Sequence, residues 1–110
     1  MGKREVASIL NGRERRPTHP GELLREDVMP AAGLTQRELA TALGVSRKTV
    51  SEVVLEQRSV TVDVAVRLGT FFGNGPVLWL KMQQAVELWD TIEANREAYA
   101  DIKPLKRRVA

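Results

Sequence analysis

The sequence predicts an all-α fold of five helices. Apolar residues recur at three- and four-residue spacing between residues 18 and 93, and helix-capping residues interrupt this pattern at short intervals. No segment alternates apolar and polar residues as a half-buried strand would. The chain has 110 residues, of which 43% are hydrophobic and 28% charged. We therefore expect one helical domain over 18–93, between a basic N-terminal arm (1–17) and a basic C-terminal tail (94–110).

Two prolines delimit the first predicted helix. Pro20 suits a first helical turn, because its missing N–H would be unpaired there in any case. The apolar face carries Leu23, Leu24 and Val28. We expect this helix to end near Met29, since the residue before a proline such as Pro30 avoids the helical conformation.

Capping residues define the second and third predicted helices. Thr35 and Glu38 have the spacing of a capping box, and Gly44 is a suitable helix end. Ser46 is a favoured N-cap for the third helix. The inward-facing positions of the two helices are Leu39, Ala40, Leu43, Val50, Val53 and Val54.

The fourth and fifth helices complete the predicted domain. Thr61 caps the fourth helix, and Asp63 lies favourably in its first turn. Glycine, asparagine and proline at 73–76 end it and begin the fifth, longest helix. That helix carries an apolar stripe, which either belongs to the core or forms a dimer contact. The residues that we expect at the dimer contact are Trp79, Met82, Val86, Trp89 and Ile92.

The second and third helices meet the requirements of a helix-turn-helix. Counting from Gln36, the fifth residue is the small Ala40, where the two helices approach most closely. The ninth is Gly44, where the chain needs a left-handed turn. Val50 and Val53, at positions fifteen and eighteen, are apolar as a buried face requires. This unit places its second helix in the major groove of DNA.

The exposed residues of the third helix are candidates for DNA contacts. Arg47 and Lys48 suit guanine O6 and N7, and Glu52 can accept a hydrogen bond from cytosine N4. Hydroxyls, amides and the loop cation Arg58 can reach phosphates. Each of these could instead be an ordinary exposed side chain. The expected DNA-contacting residues are Gln36, Ser46, Arg47, Lys48, Thr49, Ser51, Glu52 and Arg58.

The formal net charge of +3 is unevenly distributed. Residues 1–18 and 94–110 each hold five basic and two acidic groups, whereas the stretch between them holds seven basic and ten acidic groups. Basic tails attract phosphate at a distance, but solvated chain ends have the same composition. The charge alone does not establish a nucleic-acid partner.

The amino-acid composition argues against several kinds of site and function. The absence of cysteine excludes disulfides, thiolate zinc sites and a cysteine nucleophile. A single histidine, His19, makes a zinc site or a catalytic triad improbable, so we expect no metal, no cofactor and no enzyme. No apolar run reaches the roughly 18 residues of a membrane span, and a cytoplasmic location is expected by default.

Motifs on both sides of the helix-turn-helix carry a family resemblance. The motifs are His19-Pro20-Gly21-Glu22, Leu34-Thr35-Gln36, Leu39-Ala40, Leu43-Gly44-Val45, Arg58, Thr61, Asp63, Ala65, Arg67-Leu68, Phe72-Gly73, Pro76 and Trp79-Leu80. Through these motifs, residues 18–93 resemble the HigA-type antitoxins of the Cro/repressor class. The resemblance implies a lambda-repressor-like domain with a longer C-terminal helix, and a homodimer that binds a palindrome in its own promoter. It also implies a partner, a HigB-type mRNA endonuclease toxin.

The sequence departs from this family at two places. Where the family usually has Asn-Gly after the third helix, this chain has Leu55 and Glu56. Without glycine, we expect either that the helix runs on or that Glu56 is strained. The segment before His19 is also longer than is typical of the family.

Three functions remain open from the sequence. The first is an antitoxin and autorepressor that binds palindromic operator DNA and neutralises a toxin. The second is a free-standing transcriptional regulator without a toxin partner. The third is an inactive helix-turn-helix used only for protein contacts. A two-fold dimer would place its recognition helices about 34 Å apart, on half-sites one DNA turn apart.

Overall fold

A computed structural model describes residues 14–106, and five helices account for most of this part of the chain. No strand occurs among these residues, so the predicted all-α fold is confirmed. Most of the predicted N-terminal arm, and the last four residues of the tail, lie outside the described residues. The helices are α1 (Pro20–Leu23, Leu24–Val28 and Met29–Ala32 in succession), α2 (Gln36–Leu43), α3 (Arg47–Val54), α4 (Val62–Phe72) and α5 (Pro76–Ala100).

Helix α1 does not end near Met29 as predicted but continues past Pro30 to Ala32. The stretch Leu24–Val28 is a π-helical turn, in which the Met29 N–H donates to the Leu24 carbonyl five residues earlier. A proline inside a regular α-helix lacks a donor and clashes with the preceding turn. The π-helical turn directly before Pro30 joins residues five apart, instead of the residues four apart that a regular α-helix would join. The helix then continues for less than one further turn.

The predicted helix caps around the helix-turn-helix are present. The Thr35 hydroxyl accepts from the Glu38 N–H at 3.1 Å, and the Glu38 carboxylate accepts from the Thr35 N–H at 3.1 Å. Thr61 caps α4 by accepting from Val64 N–H at 3.2 Å. Gly44 ends α2 with a φ of 69°, the left-handed conformation that the turn requires. Local sequence therefore determines where α2 and α4 begin and where α2 ends.

The chain divides into two compact units. The unit Pro17–Val86 contains the helix-turn-helix and the main apolar core. Trp79 is fully buried in this core, and its indole N–H donates to the Asn74 side-chain oxygen at 3.0 Å. The Phe72 and Trp79 rings lie 6.1 Å apart between centroids. The core residues are Leu24, Met29, Leu39, Ala40, Leu43, Val50, Val53, Val54, Val60, Val64, Ala65, Leu68 and Trp79.

The second unit contains the described residues up to Arg16 and those from Glu87 onward. Within it, the Arg16 guanidinium forms a two-pronged ion pair with Asp90, with N–O distances of 2.8 and 3.0 Å. Helix α5 continues to Ala100, beyond the expected start of the tail at 94. Its one non-helical residue is Asn95, whose side-chain amide donates to the Thr91 carbonyl at 2.8 Å. This bond to the preceding turn accompanies the kink.

Candidate nucleic-acid interface

The N-terminus of α3 presents polar and cationic groups to solvent. The Ser46 hydroxyl accepts from the Thr49 N–H at 3.1 Å and lies 2.9 Å from the Thr49 hydroxyl. Ser46, Arg47 and Lys48 are exposed. A helix N-terminus carries partial positive charge, and the two cations add to it. This end of α3 is suited to an anionic surface.

Close packing of α1 against α3 fixes the recognition helix in the domain. A Cβ built on Gly21 would lie 1.9 Å from the Val53 carbonyl oxygen, a distance that no side chain tolerates. The buried His19 orients this turn, because its Nδ1 accepts from the Gly21 N–H at 2.9 Å. The His-Pro-Gly segment thus combines a cap, a first-turn proline and a contact point for α3. A glycine inside a first helical turn was the sequence signal for this close approach.

Helix α3 ends in a Schellman motif. The Glu56 N–H donates to the Val53 carbonyl at 3.0 Å, and the Gln57 N–H donates to the Glu52 carbonyl at 2.8 Å. Glu56 adopts a φ of 62°, which makes it the only non-glycine residue with positive φ among the described residues. Of the two outcomes expected from the missing glycine, the strained Glu56 is the observed one.

Arg25 of α1 caps the end of α3. Its Nη1 donates to the Val54 carbonyl at 2.5 Å, and its Nη2 lies 3.4 Å from a carboxylate oxygen of Glu56. The side-chain hydrogen bond to Glu26 is the main reason that the pKa of Arg25 is raised above its ordinary value. Arg25 was absent from the sequence-predicted site. Its partners lie 29 and 31 residues away, so only the tertiary fold identifies it.

The loop after α3 is held by α5. The buried Gln83 side chain accepts a hydrogen bond from the Val60 N–H at 2.8 Å. This bond anchors the backbone two residues after Arg58, a predicted phosphate contact. A buried amide at such a position needs a partner, and Val60 provides it. Gln83 is therefore a positioning residue that sequence periodicity did not reveal.

Arg67 of α4 stabilises the turn between α2 and α3. Its Nη1 donates to the Leu43 carbonyl at 2.8 Å, one of the carbonyls left unpaired at the end of α2. Its Nε donates to Asp63 at 2.9 Å. A Cβ built on Gly44 would lie 3.2 Å from the same guanidinium. Gly44 thus provides both the left-handed turn and room for the cation.

Glu52 lies between two of the predicted DNA-contacting cations. One carboxylate oxygen lies 3.8 Å from the Lys48 ammonium, one turn earlier on α3. The other accepts from the Arg58 Nε at 3.1 Å. The fold therefore joins three of the predicted contact residues, and we call Lys48, Glu52 and Arg58 the Glu52 cluster.

The remaining predicted DNA contacts occupy less exposed positions. Gln36 is the first residue of α2 and is half-buried, as are Thr49 and Ser51 of α3. The Thr49 hydroxyl is already paired with Ser46. The most exposed of the predicted contacts are Ser46, Arg47, Lys48 and Arg58.

The residues predicted at the dimer contact differ in exposure. Trp79 has no exposed surface, and Val86 and Ile92 are each 2% exposed. These three are interior residues of the protomer, so Trp79 in particular has no surface to offer a second copy. Met82 and Trp89 are half-buried and keep part of their surface. The dimer contact stays a prediction, which now depends on these two residues.

Residues 14–106, the part of the chain that the structure describes, contain no group of three or more histidine, aspartate or glutamate side chains arranged to hold a metal ion. None of their helices combines the length and the apolar character needed to cross a membrane.

Comparison with known proteins places this geometry in a family. A helix-turn-helix family matches residues 24–80. Antitoxin HigA-1 of Vibrio cholerae serotype O1 is 40% identical over 92 residues, which cover 84% of this chain and 87% of the relative.

Two solved structures share the fold and contain DNA. The Pseudomonas aeruginosa antitoxin HigA, solved with the higBA promoter, is 37% identical with a TM-score of 0.79, over 83% of this chain and 100% of that one. The antitoxin GraA, solved in complex with its operator, is 33% identical with a TM-score of 0.78, over 86% of this chain and 97% of that one.

Proposed function

Because this chain belongs to the helix-turn-helix family and, within it, to the HigA antitoxins, we propose that it is an antitoxin that represses its own promoter. It binds palindromic operator DNA through α3 and neutralises a toxin of the HigB-type mRNA endonuclease class. It acts in the cytoplasm as a homodimer, without metal or cofactor, and performs no catalysis of its own.

The exposed N-terminus of α3 is the observation that carries this proposal. The Ser46 cap leaves Arg47 and Lys48 exposed to solvent, on a helix that packs against α1 and α2. Arginine pairs with two acceptors of guanine in the major groove, and lysine reaches the same acceptors or a phosphate. Two solved relatives with this fold, HigA and GraA, bind promoter or operator DNA.

Repression then follows from occupancy. A two-fold dimer places two α3 helices about 34 Å apart, which matches half-sites one turn of DNA apart. A dimer bound at the promoter excludes RNA polymerase. Met82 and Trp89 of α5 are the half-buried residues that we assign to the dimer contact.

Selection of bound duplexes from a random library, followed by affinity measurements at several salt concentrations, tests the DNA-binding part. We expect one palindromic sequence to be enriched. Arg47→Ala should weaken binding to it by about 10- to 100-fold and relax base choice at one position, as loss of a base contact does. Lys81→Ala removes an exposed cation from α5 and serves as the control, for which we expect no loss of base preference.

Two results would contradict this assignment. An equal loss of affinity for selected and random duplexes in Arg47→Ala would show that Arg47 contacts phosphate rather than a base. No enriched sequence in the wild type, together with binding that depends little on salt, would favour an inactive helix-turn-helix used for protein contacts.

A pull-down of the tagged chain from its native host, with stoichiometry read by mass spectrometry, tests the antitoxin part. We expect a stoichiometric small protein whose RNA cleavage stops when the antitoxin is added back. Recovery of the chain alone, bound to its operator, would instead identify a free-standing regulator.

A further inference from the structure

The Glu52 carboxylate is the sheltered centre of the Glu52 cluster. Its side chain is 24% exposed, whereas the side chains of Lys48 and Arg58 are 82% and 42% exposed. The carboxylate bonds Arg58 at 3.1 Å and lies within ion-pair distance of Lys48. Both cations therefore have an internal anionic partner when DNA is absent.

This arrangement opposes binding to DNA of arbitrary sequence. A carboxylate brought up to the duplex is repelled by the phosphates, and an ion pair must be weakened before its cation contacts a phosphate. Non-specific binding depends on phosphate contacts made by lysine and arginine. The charge of Glu52, and its ion pairs with two cations, therefore both oppose contact with the phosphates of random DNA.

Cytosine carries a group that can bind the Glu52 carboxylate and so relieve this opposition to DNA binding. The N4 amino group of cytosine is a donor in the major groove, and a carboxylate accepts from it. Building on the proposed function, we propose that Glu52 sets the specificity of this protein. Its ion pairs hold Lys48 and Arg58 away from the phosphates of random DNA, and a cytosine amino group at the operator takes over the carboxylate and frees them. Specificity then comes partly from rejecting the wrong sequence.

The test compares the wild type with Glu52→Gln on two duplexes of equal length, the selected operator and a random sequence. Glutamine keeps the shape of the side chain and removes its charge. We expect the affinity for random DNA to rise about five- to tenfold at low salt, with a steeper salt dependence as the freed cations contact phosphates. The ratio of operator to random affinity falls accordingly, and preference for cytosine weakens at one position of each half-site, because a neutral amide oxygen accepts from N4 less strongly than a carboxylate does. An unchanged ratio and an unchanged cytosine preference would overturn the proposal.

Two further variants separate this role from a simple change in net charge. Asp27→Asn removes one negative charge from an exposed position of α1. Its ratio of operator affinity to random-DNA affinity should equal that of the wild type. In an Arg58→Gln background, Glu52→Gln should raise the affinity for random DNA by a smaller factor, because one held cation is already gone. If Glu52→Gln raised the affinity for random DNA by the same factor with and without Arg58→Gln, Arg58 would not be held by Glu52, and the mechanism would be overturned.

The outcome for the wild type distinguishes this inference from the function on which it rests. A wild type that selects no sequence contradicts the proposed function as well. A wild type that selects an operator, with Glu52→Gln selecting it equally well over random DNA, contradicts only the role of Glu52. Circular dichroism of each variant confirms that the helical fold is retained in these comparisons.

Discussion

Gly21 and Val53 are in direct backbone contact, and this contact joins α1 to the recognition helix. A Cβ on any other residue at position 21 would lie only 1.9 Å from the Val53 carbonyl oxygen. Val53 also accepts from the Glu56 N–H, so the same carbonyl takes part in the turn that ends α3. The position of α1 and the end of α3 are therefore coupled through one peptide group.

Gly21→Ala should lower the free energy of unfolding by about 2 to 3 kcal/mol, because the added methyl forces α1 away from α3. Gly33→Ala is a matched control. Gly33 has a φ of 66°, and nothing lies within 4 Å of its built Cβ, so only the left-handed conformation costs energy there. That cost is about 1 kcal/mol. Urea unfolding at one fixed protein concentration measures both, and equal losses would show that α1 does not approach α3 this closely.

Glu56→Gly should be more stable than Glu56→Ala by about 1 kcal/mol, since glycine adopts the left-handed conformation without the Cβ penalty. Both variants lose the carboxylate that lies 3.4 Å from Arg25. The difference between wild type and Glu56→Ala therefore measures that partly exposed ion pair, which we expect to contribute little to stability because solvent screens it. Alanine and glycine variants of equal stability would show that Glu56 is not left-handed in solution.

Acid should weaken the start of α2 through Glu38. Hydrogen bonds from Thr35, first from its backbone N–H, lower the pKa of the Glu38 carboxyl below its ordinary 4.5. A carboxyl with a lowered folded pKa contributes stability that is fully present above its unfolded pKa and is lost as the pH falls through the folded pKa. The ionised carboxylate therefore stabilises the folded chain near neutral pH.

Glu38→Gln tests this pH dependence, because glutamine keeps an acceptor for the capping box and does not titrate. Between about pH 7 and about pH 3, the wild type should lose more stability than Glu38→Gln. Thermal unfolding at a series of pH values gives the two curves. Parallel curves would exclude a role for Glu38 in acid stability.

Residues close together in sequence predicted the helix-turn-helix well, whereas contacts between distant residues were not foreseen. The capping box at Thr35 and the turn at Gly44 depend on a few neighbouring residues, so their sequence signals were sufficient. Arg25 and Gln83 have partners 23 to 31 residues away, and no local pattern specifies such pairs. The candidate DNA contacts were identified by type, but their pairing in the Glu52 cluster depends on the loop that returns Arg58 to α3.

The apolar stripe of α5 is a second feature that the local sequence predicted only in part. Helical spacing placed Trp79 and Trp89 on one stripe but did not show how deeply each is buried in the protomer. Trp79 is fully buried and bonded to Asn74, whereas Trp89 is half-buried. Trp79 is buried because α4 and the glycine-rich turn before α5 pack against it. Helical spacing alone does not predict such contacts.

Trp89→Ala should convert the proposed dimer to a monomer while leaving the helical content unchanged, because we assign the lost surface to the contact between copies. Large aromatic residues contribute most to such contacts, and removing one commonly costs about 2 kcal/mol or more of association energy. Leu88→Ala is the matched control, since Leu88 is a neighbouring apolar residue, 46% exposed, on a different face of α5. Sedimentation velocity over a range of concentrations gives the dissociation constants of both variants and of the wild type. Dissociation by Leu88→Ala and not by Trp89→Ala would move the dimer contact to the other face of the helix, and a stable Trp89→Ala dimer would remove Trp89 from it.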